Sequence, residues 1–145
     1  MYKKVFIDAN IFIDTNDKDR KAYQESLNIL KYLTVNKIEM YTSCDLITTI
    51  YYILSKKSKT NALNGIEQIN KICKVIEFSN KEVAQTCALM QENENYRDLE
   101  DTLQYILAKK LSCELILSND QNFYSDDISV INSEDFARNI LNKHK

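Results

Sequence analysis

Lys3-Lys4-Val5-Phe6-Ile7-Asp8-Ala9-Asn10 opens the chain with a short apolar run that stops at an acid. Three apolar residues bounded by charge read as a buried strand with a polar end. The same grammar returns at Leu115-Ile116-Leu117-Ser118-Asn119-Asp120. Between these two runs the apolar residues change period, from successive positions to every third or fourth.

Tyr23, Leu27, Leu30 and Leu33 fall on one face, which predicts a helix over 21–36 with Asn36 as a left-handed cap. Ile38 to Tyr41 reads as a short strand. Leu46, Ile47, Ile50, Ile53 and Leu54 form a second helical stripe; Ala62, Leu63, Ile66, Ile69 and Ile72 form a third. Val75 to Phe78 predicts a strand. Ser79 and Glu82 have capping-box spacing and open a helix reaching about Gln91. Asp98-Leu99-Glu100-Asp101 opens the next, with Leu103, Ile106, Leu107 and Leu111 as its stripe. A last strand is expected over Ile128 to Ile131, and a final helix after Ser133-Glu134-Asp135, carrying Phe136, Ile140 and Leu141. Thr15 to Arg20 is a polar loop. Strands alternating with helices imply a parallel sheet covered on both faces. The expected architecture is one three-layer α/β/α domain over residues 1–145, with four or five short strands.

Composition agrees. At 145 residues the chain is long enough to bury roughly 70% of its unfolded surface. One Gly and no Pro leave no room for a Gly-rich phosphate loop or a dinucleotide fingerprint, and few tight turns for an all-β fold. No apolar window is long enough for a membrane span, and the first apolar run is too short for a leader, so a cytoplasmic location is expected. The cysteines Cys44, Cys73, Cys87 and Cys113 are widely spaced and read as reduced, small apolar residues. With His144 as the sole histidine, zinc is disfavoured. Residues 1–81 carry 13 Lys/Arg against 9 Asp/Glu, and residues 82–145 carry 6 against 12. A basic half (+4) therefore adjoins an acidic half (−6), which fits nucleic acid beside metal as well as it fits solvated helix faces.

Asp8 and Asp120 sit at strand ends, and Asp101 sits in the first turn of a helix. In a parallel sheet, strand carboxyl ends and helix starts share one edge, where ligands bind. Three carboxylates there repel unless a cation joins them. Hard oxygen ligands without His or Cys select Mg²⁺ or Mn²⁺. Each acid also has a plain structural reading: turn or cap for Asp8, dipole compensation for Asp101, an Asx turn for Asp120. Asp14, Asp98, Asp126 and Asp127 read as caps, turns or solvated residues.

Val5-Phe6-Ile7-Asp8-Ala9-Asn10-Ile11-Phe12-Ile13-Asp14 resembles the opening strand and loop of PIN domains. Asp98-Leu99-Glu100-Asp101-Thr102-Leu103-Gln104 is similar to their D-x-E-D-x-x-Q helix start, and Leu117-Ser118-Asn119-Asp120-Gln121-Asn122-Phe123 to their late strand ending. Length and element order resemble those of the single-domain VapC-like toxins of toxin–antitoxin pairs. The resemblance implies a Mg²⁺- or Mn²⁺-dependent ribonuclease cutting single-stranded or loop RNA. It also implies a small antitoxin partner and a homodimer. The family's acids carry over to Asp8, Asp101 and Asp120. Asn10 matches a polar position beside the first acid, and Ser118 a hydroxyl near metal and substrate.

One position departs from that pattern. PIN domains place an acid six residues after a Ser on the helix that follows the second strand; counting from Ser43, that place holds Thr49. Asp45 lies four residues earlier on the same face, as a partial replacement or as a helix cap. The departure keeps a second reading open, in which the fold has lost useful catalysis and binds RNA or a protein. A phosphoacceptor signalling domain is a third reading, but Asp45 follows no apolar run of strand length. Nine tyrosines and the run Lys56-Lys57-Ser58-Lys59 suit RNA. Packing of Tyr51 and Tyr52, a solvated helix end and a core role for Phe123 are the commoner meanings.

Overall fold

The opening apolar run forms the middle strand of a sheet. In a computed structural model that describes residues 1–142, β1 (Lys4–Ile7) pairs in parallel with β2 (Glu39–Ser43) on one side and β4 (Leu115–Leu117) on the other. β3 (Cys73–Ile76) extends the sheet beyond β2, and β5 (Ser129–Ile131) beyond β4, so the order is β3-β2-β1-β4-β5, all parallel. The chain first winds outward through β2 and β3, then returns to place β4 on the free side of β1. The direction of winding therefore reverses between β1 and β4, where the carboxyl ends of a doubly wound sheet open a crevice.

Alternation along the strands builds two cores. Val5, Ile7, Leu115 and Leu117 face one side, where they meet α1 (Ala9–Thr15), α2 (Tyr23–Val35), α3 (Cys44–Leu54), α4 (Lys59–Ile72) and α7 (Ser133–Phe136). Phe6, Tyr41 and Ile116 face the other side, under the helical segment formed by α5 (Asn80–Glu92) and α6 (Leu99–Lys110). Both faces of β1 and β4 are buried, which is why these strands are continuous apolar runs. No helix among the described residues is long and apolar enough to cross a membrane.

Local signals explain most boundaries. Ser79 and Glu82 form the expected capping box at α5. The Asp98 side chain caps α6 by accepting from the Asp101 amide at 2.8 Å, with Glu100 and Asp101 in the first turn and Lys109 and Lys110 in the last, as the helix dipole favours. The expected helix with the stripe Ala62 to Ile72 starts at Lys59, because Ser58 accepts from the Asn61 amide.

Other boundaries differ. The segment after Asp8 has no readable period, yet it is α1: seven residues make barely two turns, and Ile11, Phe12 and Ile13 are buried at successive positions. Asn36 is not left-handed; its side-chain Nδ2 donates to the Tyr32 carbonyl at 2.8 Å, and Lys37 takes the positive φ of 55° instead. β3 begins two residues before Val75, since its ladder runs from Met40–Cys73 to Ser43–Ile76 and Phe78 lies beyond it. The last helix is capped by Asn132 rather than Ser133, and continues over Ala137–Leu141 with π-type hydrogen bonding. Cys73 and Cys113 are buried as expected, whereas Cys44 and Cys87 are exposed; all four are free thiols. Phe123 is core, but Tyr52 stands 65% exposed beside the Lys56 ammonium. Lys57 is not a bare solvated charge: it bridges Asp17 and Asp19. His144 lies outside the described residues.

Candidate active site

Asp8 leaves β1 at the reversal point, and its amide still donates to the Leu117 carbonyl, 2.9 Å away. Its carboxylate is buried and heavily bonded. Oδ1 accepts from the Ala9 amide at 2.7 Å and from Gln104 Nε2 at 3.0 Å. Oδ2 accepts from Ser118 Oγ at 2.7 Å and from Asn10 Nδ2 at 3.3 Å. Four donors occupy the acceptor sites a carboxylate offers. Burial nevertheless raises the Asp8 pKa, against the pull of Ser118, Gln104 and Ala9, with the charge of Asp120 adding to the rise.

Asp101 comes from the first turn of α6, on the opposite face of the sheet. Burial, then the charges of Asp8, Asp98 and Asp120, then a hydrogen-bonding approach by Asp120, push its carboxyl up to about 8. Asp120 is exposed, in a turn where Oδ1 accepts from the Asn122 amide at 2.9 Å and its own amide donates to Ser118 Oγ at 3.1 Å. The Asx-turn reading of Asp120 is thus correct, and so is its place beside the other two acids. Asp8, Asp101, Asp120, Asn10 and Ser118 share one crevice.

The other two sequence candidates, Asp45 and Thr49, come from α3. Asp45 is not the cap of α3; Ser43 holds that position and its hydroxyl donates to Asp45 Oδ1 at 2.5 Å. The charge of Asp45 acts on Glu100, whose pKa is raised by desolvation, then by Asp45, Asp8 and Asp98. Thr49 lies one turn further along α3, and its hydroxyl donates back to the Asp45 carbonyl at 3.5 Å. Asp14 is a buried acid rather than a solvated one, bound by Asn119 Nδ2 at 2.8 Å and by Arg20.

Three residues carry more than the sequence suggested. Gln104 reaches Asp8 from α6; its signal was position i+3 from Asp101, the same helical face. Asn119 joins three elements: its amide donates to Asn10 Oδ1 at 3.1 Å, its side chain holds Asp14, and its Oδ1 accepts from both the amide and hydroxyl of Ser133. Glu100 adds a fourth acid to the rim of the crevice.

Among the described residues, no three His, Cys, Asp or Glu side chains are gathered closely enough to hold a metal ion as they stand. The donor set still fits a hard divalent cation in kind. It is all carboxylate oxygen, and a cation there would offset both the burial of the Asp101 carboxylate and the charges of Asp8, Asp98 and Asp120 that raise its pKa. The long Asn10 contact on Asp8 and the Asp101 proton are the features that must give way.

A family profile described as "PIN domain" matches residues 4–122. The chain belongs to the PIN-domain family. This PIN domain is 47% identical over 135 residues to Ribonuclease VapC1 of Aquifex aeolicus (strain VF5), a match covering 93% of this chain and 94% of the relative. Solved structures share the fold at lower identity. Mycobacterium tuberculosis VapC20, described as a sarcin-ricin loop cleaving toxin, matches with a TM-score of 0.66 at 14% identity, over 82% of this chain and 92% of that one. VapBC2 from Rickettsia felis, bound to a DNA fragment from their promoter, gives 0.66 at 19% identity, over 89% and 98%.

Proposed function

We propose that this PIN domain is a divalent-metal-dependent endoribonuclease, the toxin of a toxin–antitoxin pair, acting on single-stranded or loop RNA. The observation that carries the reading is the convergence of Asp8, Asp101 and Asp120 at the reversal point of the sheet, in a chain 47% identical to a ribonuclease along nearly its whole length. Mg²⁺ or Mn²⁺ would be held by these three carboxylates, and when bound supplies charge stabilisation at the phosphodiester and an activated water. Ser118, Gln104 and the Ala9 amide hold Asp8 in place, and Asn10 and Asn119 tie the β1 and β4 loops together across the crevice. The two-component VapBC2 assembly supports a small antitoxin partner, and the VapC likeness supports a homodimer and a cytoplasmic location.

The test is cleavage of a panel of RNAs with Mn²⁺ and with chelator. Parent protein should cut only with metal, and Asp8→Asn should lose cutting while keeping its fold. Thr49 and the fully bonded Asp8 favour a second reading, a PIN fold that binds RNA without cutting it. RNA retention at saturating Mn²⁺ with no cleavage product would decide for that second reading.

A further inference from the structure

Gln104 is entirely buried, yet only half of its amide is used. Nε2 donates to Asp8 Oδ1 at 3.0 Å, across 96 residues of chain, whereas Oε1 has no hydrogen-bond partner among the described residues. Turning the amide over does not help, because Oε1 would then face the oxygens of Asp8 and the donor would be stranded. A buried carbonyl without a partner is a cost to the fold. Gln104 therefore sits where an apolar side chain would serve stability better, between Leu103 and Tyr105 on a helix packed over Phe6 and Ile116.

What Gln104 does accomplish is visible at Asp8. With the Ala9 amide it takes both acceptor positions of Oδ1. Oδ2 is held less firmly, since one of its two donors is the half-buried Asn10 at 3.3 Å. The carboxylate thus has one fixed oxygen and one that a ligand can claim.

We infer that Gln104 is a positioning residue that pins Oδ1 of Asp8, so that Oδ2 is the oxygen presented to an incoming divalent cation. The inference rests on the metal-dependent reading above. Groups that orient a metal-binding side chain typically govern affinity by 10–100-fold on substitution.

The experiment is calorimetric titration of the full chain with Mn²⁺, beside thermal melting in chelator, for the parent, Gln104→Leu and Gln104→Asn. Gln104→Leu should melt at or above the parent temperature without metal, because the stranded carbonyl is gone. Its Mn²⁺ dissociation constant should rise about tenfold or more. Gln104→Asn keeps the amide but falls one methylene short of Asp8, so its affinity should drop as well. On RNA, saturating Mn²⁺ should restore kcat in both variants while KM for RNA stays at the parent value. An unchanged Mn²⁺ constant in the two variants overturns the inference and leaves the metal reading standing. Loss of cooperative melting in both makes Gln104 a structural residue and overturns it too. A parent that takes up no Mn²⁺ removes the metal reading itself, and the inference with it.

Discussion

Asp101 makes the apo protein a pH-sensitive one, and the direction follows from proton linkage. Its carboxyl rises from 3.8 toward about 8 in the folded chain, so the folded state keeps a proton that the unfolded chain loses near pH 4. Stability is then fullest below about pH 4 and drains away as pH climbs toward 8. Each unit of that span is worth about 1.4 kcal/mol. Asp8, Asp98 and Asp120 share the repulsion and water reaches the crevice, so about a third of the span, roughly 2 kcal/mol, belongs to Asp101 alone. For a chain of this size that moves the melting temperature by about 6 °C. The assay is melting in chelator from pH 5 to pH 8.5, for the parent and Asp101→Asn. The parent should lose stability with rising pH. Asp101→Asn should give a flatter profile and be the more stable protein at pH 8. The raised pKa of Asp8 leaves some slope in the variant, of the same sign. Asp17, Glu39, Glu114 and Asp127 have lowered pKa values, so their contributions are lost only below about pH 4, outside the window. An Asp101→Asn profile as steep as the parent's would refute the reasoning.

Further outcomes follow from the same geometry. Millimolar-scale Mn²⁺ should raise the parent's melting temperature and leave Asp8→Asn unmoved, as read by thermal shift. Asp120→Ala should slow RNA cleavage on the order of 100-fold, since a lost metal ligand removes several kcal/mol of transition-state stabilisation; a parent-like rate would exclude Asp120 from the site. Thr49→Glu should tighten Mn²⁺ binding and lower the melting temperature in chelator, through added like charge, whereas Asp45→Ala should affect binding less than Asp8→Ala. In Gly65→Ala the new Cβ would lie 2.7 Å from Asn16 Oδ1, on the side chain whose amide donates to the Phe12 carbonyl. Urea denaturation should show a net loss of about 1 kcal/mol despite the gain in helix propensity, and Asn16→Ala in the same chain should recover part of it.

The fold was legible where apolar period and capping chemistry agreed. The runs Val5–Ile7 and Leu115–Leu117, the Ser79–Glu82 box and the Asp98 cap all name their elements from composition alone. α1 was not legible, because barely two turns with three successive buried residues show no stripe. Lys37 was hidden by a competing preference: Asn36 suits the left-handed region, but its side chain spends itself on a carbonyl of α2. The three acids were readable because strand ends and helix starts converge in any parallel sheet. Gln104 stood in the quoted helix start without its partner being readable, and Asn119 and Asp14 were not legible as site residues, since what matters is partners about a hundred residues away in the chain. For Asp45 the spacing offered a cap, and only the fold shows Ser43 in that place, donating its hydroxyl to the aspartate.

The order in which strands are laid down has a consequence for the timing of activity during synthesis. Asp8 leaves the ribosome well before its partners Gln104 and Ser118, which follow 96 and 110 residues later. Until then β1 lacks the neighbour that β4 provides, and the first aspartate has neither its positioning amide nor its hydroxyl. A nascent chain that has already folded its outward-wound half therefore carries the acid without the crevice. The central strand closes only when the late residues emerge, so competence arrives as a single late event, and chains released before residue 118 should be inert toward RNA.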